Sequence, residues 1–237
     1  MLGKPWRDDW RETLGPAWPA LVAFFIVCLF VGGFTMPLSD ADLPMHLALG
    51  EWIVRHRAVP FVEPFAWTRA GEPFFAYSWG PEVVYYAALS AFGPSGLHAL
   101  HGLVLACAGV AVGLLGAAAR WTGWTTLLVG ALHIVIGVGV VPTLRPQGVL
   151  LVVIPLAWVA AMRLRDGDGS LRWAAALLGC ATIAANSHLF FPLTAAPGVV
   201  LLTRSPVSWR RVVIAGCAIL GGWLLSPYGL HWTDVFR

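Results

Sequence analysis

Residues 95–119 read SGLHALHGLVLACAGVAVGLLGAAA, an apolar run without a single Asp, Glu, Lys or Arg. About 20 such residues carry a helix across the hydrocarbon core of a bilayer. Comparable stretches lie at approximately Ala17–Met36, Trp124–Thr143, Gly148–Met162, Trp173–Asn186, Leu189–Thr203 and Val212–Ser226. In hydrocarbon every backbone N–H and C=O must find a partner inside the segment, so each stretch is predicted to be helical. The expectation is an all-α polytopic membrane protein with about seven transmembrane helices. It divides into a cytoplasmic N-terminal segment, residues 1–16, and a single transmembrane domain, residues 17–237. The fifth and sixth stretches are short and meet at Asn186-Ser187-His188, the pattern of a tight helical hairpin.

Composition agrees. Hydrophobic residues make up 58% and charged residues 11% of the chain, with mean hydropathy +0.75, against about 25% charge in a soluble domain. A net charge of +3 spread over scattered arginines, with Lys4 the only lysine, leaves no nucleic-acid footprint. Cys28, Cys107, Cys180 and Cys217 all sit inside apolar runs without CxxC spacing and read as small buried hydrophobes. No cleavage site follows Val31-Gly32-Gly33, so the first span is expected to stay as a signal anchor. With the N-terminus in the cytoplasm, cytoplasmic ends hold Lys4, Arg7, Arg11, Arg120, Arg163, Arg165, Arg172, Arg204, Arg210 and Arg211. The other side holds Arg55, Arg57, Arg69, Arg145 and Arg237. Ten against five points to an inner-membrane protein with its N-terminus inside.

The longest loop, residues 37–94, then lies outside. Ser39-Asp40 precede Ala41–Arg57, where Leu43, Leu47, Gly50 and Val54 recur at helical spacing, as in an amphipathic interfacial helix. Pro44 falls in its first turn, where a missing N–H costs little. Pro81–Phe92 reads as a second helix too brief to span. Trp52, Trp67, Trp79, Tyr85 and Tyr86 suit the headgroup zone. No internal repeat and no paired mid-span charge marks a transporter.

With these spans, the unusual polar residues gather on the non-cytoplasmic side. Asp42 and His46 are four apart and share a helix face, with Asp40 at the helix start. Two carboxylates beside an imidazole suit a divalent cation or a general base acting on a hydroxyl. The competing reading is that Asp40 caps the helix and Asp42 complements its dipole. Arg145, in TLRPQ, stands at the outer mouth between two spans, where it suits a phosphate or only marks a helix end. Asn186, Ser187 and His188 at the hairpin tip suit a sugar or water, or the turn's own backbone. His133, mid-span, is expected to be neutral and bonded across helices.

The order of motifs resembles bacterial members of the GT-C superfamily, polytopic glycosyltransferases that use lipid-phosphate-linked sugars. The resembling set is DADLPMHLALGEWIVRHRAVPFVEPFAWTRAGEPFFAYSWGPEVVYY (40–86), LRPQGVLL (144–151), AANSHLFF (184–191) and SPYG (226–229). It covers most of Asp40 to Gly229, and its specificity lies in order and spacing, since each motif is short. The resemblance implies that Asp40 and Asp42 are the catalytic or metal-associated acids of the first outer loop. His46, Glu63, Trp79, Glu82, Arg145, Gln147, Asn186 and His188 would line the same substrate cavity. It also implies a polyprenyl-phosphate-linked sugar as donor, and a divalent cation (Mg or Mn) is the one cofactor considered. Pro44-Met45 stands where the family pattern has paired aromatics, Ser78 where it has an acid and Ser226 where it has Asn. With a chain that stops soon after SPYG, these departures support an alternative: a non-catalytic accessory or assembly subunit of a larger membrane complex. Gly- and Ala-rich faces such as ACAGVAVGLLGAAA would admit its partner helices.

Overall fold

The structure is a computed structural model that describes residues 18–140, 144–166, 170–203 and 208–231. The segment 1–16, with Lys4, Arg7 and Arg11, and the distal Arg204 and Arg237 lie outside the described residues. Among the described residues the chain is all-helical. Nine α-helices follow in order: α1 (Trp18–Thr35), α2 (Leu43–His56), α3 (Trp79–Phe92), α4 (Pro94–Ala119), α5 (Gly123–Val140), α6 (Leu150–Asp166), α7 (Ser170–Ala185), α8 (Ala196–Thr203) and α9 (Trp209–Leu224). The one β pairing among these residues is an antiparallel bridge between Val62 and Pro73. Two segments, Pro94–Ala119 and Pro146–Asp166, are long and apolar enough to cross a membrane.

The sixth predicted span takes a different form. Residues 189–203 give a 3₁₀ turn, Phe191–Ala195, followed by only eight residues of α-helix in α8. Pro192 and Pro197 account for this: neither has an N–H to donate, and each sits where a helix must start rather than continue. The hairpin tip is nonetheless a tight turn, since the N–H groups of Ser187 and His188 both bond back to the Ala184 carbonyl. The chain still returns to the far end of the bundle, because Arg211 Nη1 at the start of α9 donates to the Arg165 carbonyl at the end of α6.

Packing centres on α4, which lies against α1, α3, α5 and α6, and on α7, which lies against α6 and α9. Small residues set the spacing. Ala108, Ala111 and Val112 of α4 are almost fully buried, as are Ala157, Ala160 and Ala161 of α6 and Ala181, Ala184 and Ala185 of α7. At the α1–α4 crossing a Cβ on Gly102 would stand 2.5 Å from the Phe30 carbonyl oxygen, so glycine is what permits the contact. Part of the small-residue run of α4 is used inside the fold, while Val110, Gly113, Leu114 and Ala117 line an open apolar groove of about 380 Å³ between α1, α4 and α5. His133 behaves as the sequence suggests, its Nε2 lying 2.9 Å from the Leu151 carbonyl across the α5–α6 contact. The outer faces of α1, α5 and α9 expose large apolar side chains, among them Phe24, Leu128, Val135 and Leu220.

The predicted interfacial helix is present as α2, with a shifted stripe. Leu43, His46, Leu49, Gly50 and Ile53 are buried against α3, while Val54 is 45% exposed and Leu47 half-buried. Tyr85, expected in the headgroup zone, is 3% exposed and packs with Leu43, Leu97 and Leu144. That cluster matters for function: Leu43 follows Asp42 and Leu144 precedes Arg145, so burying the two leucines together fixes the backbone beside both polar groups.

Candidate functional site

Segments far apart in sequence meet at one end of the bundle. Arg145, extended just before the 3₁₀ turn Pro146–Val149, makes a two-pronged ion pair with Asp40. Its Nε reaches Oδ2 and its Nη2 reaches Oδ1 at 2.8 Å. The Asp40 side chain is fully buried, and its Oδ1 also accepts the Asp42 N–H at 3.0 Å. These bonds push the Arg145 guanidinium above its ordinary pKa, with the Asp40 contact the leading cause. Asp42 sits at the N-cap of α2 without a side-chain capping bond. Its carboxylate is 57% exposed and lies 3.6 Å from Arg145 Nη2.

This geometry separates the two aspartates. Asp40 holds Arg145 with both oxygens and also accepts a backbone amide. Asp42 remains accessible. Arg145 Nη2 lies between the two carboxylates, 2.8 Å from Asp40 Oδ1 and 3.6 Å from Asp42 Oδ2. Among the described residues no cluster of three His, Cys, Asp or Glu side chains could hold a metal.

A second polar centre lies where α2 meets α3. A Cβ on Gly50 would fall 2.1 Å from the Glu82 carbonyl oxygen, and this close approach brings His46, one turn earlier, onto Glu82. His46 Nδ1 lies 2.8 Å from Glu82 Oε1, and Ser78 Oγ donates to the same oxygen at 2.7 Å. Glu82 is 1% exposed, and among the described residues its Oε2 has no hydrogen-bond partner. Ser78 bonds to the carboxylate and not to the imidazole, so the three do not form a nucleophile–base–acid relay. Tyr77 faces this centre: burial raises its pKa, and the charges of Glu82 and Asp42 add to the shift.

The remaining candidates divide. Asn186 ties three elements together. Its Oδ1 accepts Trp79 Nε1–H at 2.7 Å, its Nδ2 donates to the carbonyls of Thr182 (2.8 Å) and Leu225 (3.1 Å), and its own carbonyl accepts the Gly80 N–H at 3.1 Å. Trp79 and Asn186 are therefore structural ties at the site's edge. His188 accepts the Phe190 N–H at Nδ1 and stacks edge-on to Tyr77. Burial pushes its pKa down, and the neighbouring His46 pushes the same way. Gln147 is half-buried in the 3₁₀ turn beside Arg145. Glu63 stands apart from the network: its Oε1 accepts the N–H groups of Phe65 and Ala66 in the outer loop. Its role is local, to hold that loop.

Two contributors take roles that the sequence pattern does not assign. Ser78, which stands where the family pattern has an acid, donates to Glu82. Tyr228 is 2% exposed; its hydroxyl accepts the Ala76 N–H, and burial raises its pKa to about 12. It anchors the loop that carries Tyr77 and Ser78. Beside Asn186 an apolar cleft of about 550 Å³ opens between α3, α4 and α7, lined by Val84, Tyr85, Leu100, Val104, Ile183 and Leu225.

No family model, curated protein or solved structure matches the chain.

Proposed function

We propose that this chain is the core of a GT-C-like membrane glycosyltransferase that uses a polyprenyl-phosphate-linked sugar. In this reading the chain crosses the inner membrane seven times, the sixth crossing being the 3₁₀ turn with α8, and its N-terminus is cytoplasmic. The apolar faces of α1, α5 and α9 suit lipid better than water. The polar end then faces away from the cytoplasm.

The observation that carries the proposal is Arg145. It is held from behind by a buried carboxylate while its own side chain keeps 35% exposure at the mouth of the site. A guanidinium aimed in this way can bind a phosphate through its remaining N–H groups. The apolar cleft nearby offers room for the lipid chain. As the bond between sugar and phosphate breaks, the leaving phosphate gathers charge that Arg145 stabilises. The acceptor hydroxyl loses its proton on the α2 face that presents Asp42 and His46.

The test uses membranes containing the full chain and a polyprenyl-phosphate-linked radiolabelled hexose. Wild type is expected to transfer the label. Arg145→Lys, which keeps the charge and loses the fork, is expected to raise the donor KM about tenfold or more. No transfer by wild type, with a stoichiometric membrane partner surviving mild detergent, would place the chain among accessory subunits instead.

A further inference from the structure

We infer that the proton acceptor of this site is His46 Nε2, held in its reactive form by Glu82, and that no aspartate serves as the base. The inference rests on the transferase reading above and assigns a role within it. A carboxylate can only accept, so the His46–Glu82 contact is Nδ1–H donating to Oε1 at 2.8 Å. That bond fixes the neutral imidazole as the Nδ1–H tautomer and leaves the Nε2 lone pair free. Among the described residues no hydrogen bond reaches Nε2, and it is not among the fully buried unpartnered atoms that include Glu82 Oε2.

The surroundings suit a group that becomes positive during the reaction. Glu82 lies in the first turn of α3, at the positive end of that helix, and receives Ser78 Oγ–H. It is therefore placed to pair with the imidazolium once formed, through the Nδ1–H contact that is already made. Other titratable groups facing His46 are His188, beyond α7, and Asp42, one turn back on α2. Asp42 is exposed and shares Arg145 with Asp40, which suits steering of the phosphate better than proton abstraction.

The step balances as follows. The acceptor O–H bond breaks and its proton goes to His46 Nε2. The oxygen's electron pair forms the new bond to the anomeric carbon, and the carbon–oxygen bond to the phosphate breaks with its electron pair leaving on the phosphate. His46 ends as imidazolium against Glu82, and the released proton later returns to water. Glu82 and Ser78 are positioning residues, because they act through the imidazole.

The experiment measures kcat against pH for wild type, His46→Gln, Glu82→Gln and Asp42→Asn in membranes, with the polyprenyl-phosphate-linked hexose as donor. His46→Ala is assayed with and without free imidazole. His46→Gln should lower kcat about 10²–10⁴-fold, with donor KM little changed. Free imidazole should restore a measurable part of the His46→Ala loss. The acidic limb of the profile should survive in Asp42→Asn and move in Glu82→Gln. If wild type transfers and His46→Gln matches it, the inference fails while the transferase reading stands. A loss in the His46 variants that imidazole does not relieve, with the Glu82→Gln profile unmoved, also overturns it, since a purely structural histidine behaves that way. A wild type that transfers nothing removes the transferase reading and the base together.

Discussion

Two buried polar knots lie side by side at one end of this bundle, and they are built on opposite terms. In the knot around Asn186, the amide oxygen, both amide hydrogens and the backbone carbonyl have partners on α3, α7 and the segment after α9. In the knot around Glu82, one carboxylate oxygen receives two donors and the other receives none. A buried polar group left unpaired costs free energy that a fold has no structural reason to spend. The saturated knot is fully explained by holding helices together. The unsaturated one is not; among the described residues His98 Nδ1, His101 Nδ1 and Trp173 Nε1 are also buried without a partner, and what sets Glu82 apart is that its carboxylate bonds an imidazole.

The largest expected effect comes from breaking the saturated knot. Asn186→Leu removes three side-chain hydrogen bonds and strands the Trp79 indole N–H and two carbonyls. Loss of stability of at least about 2 kcal/mol is expected, read as a lowered thermal midpoint in detergent. A variant as stable as wild type would mean that the knot is not what ties α3 to α7. Gly50→Ala comes next. Its new methyl would meet the Glu82 carbonyl at 2.1 Å, so α2 must move off α3 at a cost of about 1–3 kcal/mol. Because His46 rides on α2, transfer should fall together with stability, and unchanged behaviour in both assays would show that the close approach is not needed.

Glu82→Gln should be the mildest of the three in stability, within about 1 kcal/mol of wild type, since the amide keeps the shape and the oxygen that Ser78 and His46 use while removing a buried charge. The two knots are thereby set against each other directly. Asn186→Leu should unfold the protein at lower temperature, and Glu82→Gln should leave folding nearly intact while moving the pH profile. If Glu82→Gln proves as destabilising as Asn186→Leu, the distinction between a structural and a functional knot is lost.

Much of this arrangement could be read from the chain, and the reason is geometric. Apolar runs of bilayer length force the chain to alternate ends, so residues just after the first, fifth and seventh runs and just before the second and fourth must meet. That rule brings Asp40, Arg145, Asn186 and Tyr228 to one end with no knowledge of packing. The rule is silent on pairing. That Asp40 makes the close two-pronged contact with Arg145 while Asp42 lies 3.6 Å away follows from which of the two is buried, and Leu43 and Leu144 pack beside them in one cluster. The buried stripe of α2 was also beyond the pattern. LPMHLALGEWIV is apolar on nearly every side, so Leu47 and Val54 compete on equal terms with Leu49 and Ile53 until α3 selects a face. Proline hides the form of the sixth apolar run, since hydropathy counts Pro192 and Pro197 as part of it while their missing N–H groups shorten the helix.

The smallest effect belongs to Glu63, whose two hydrogen bonds both stay within its own exposed loop. Its Oε1 accepts the Phe65 and Ala66 N–H groups at 2.9 and 3.0 Å. The Ala66 bond is the leading reason that its pKa lies below the ordinary carboxylate value, with the Phe65 bond second. A folded pKa below the unfolded one means that the contribution is complete above the unfolded value, about 4.3, and is lost as pH falls through the folded value. Amide-exchange protection at Phe65 and Ala66 should hold near neutrality and decline below about pH 4. In Glu63→Gln it should be weak and flat with pH, because the neutral amide accepts less strongly. Transfer at neutral pH should change little, because every acceptor bond of Glu63 serves its own turn. If Glu63→Gln shifted the kcat profile as Glu82→Gln is expected to, a carboxylate outside the network would be acting in the chemistry, and the buried contact of Glu82 with His46 would cease to be the mark of the functional group.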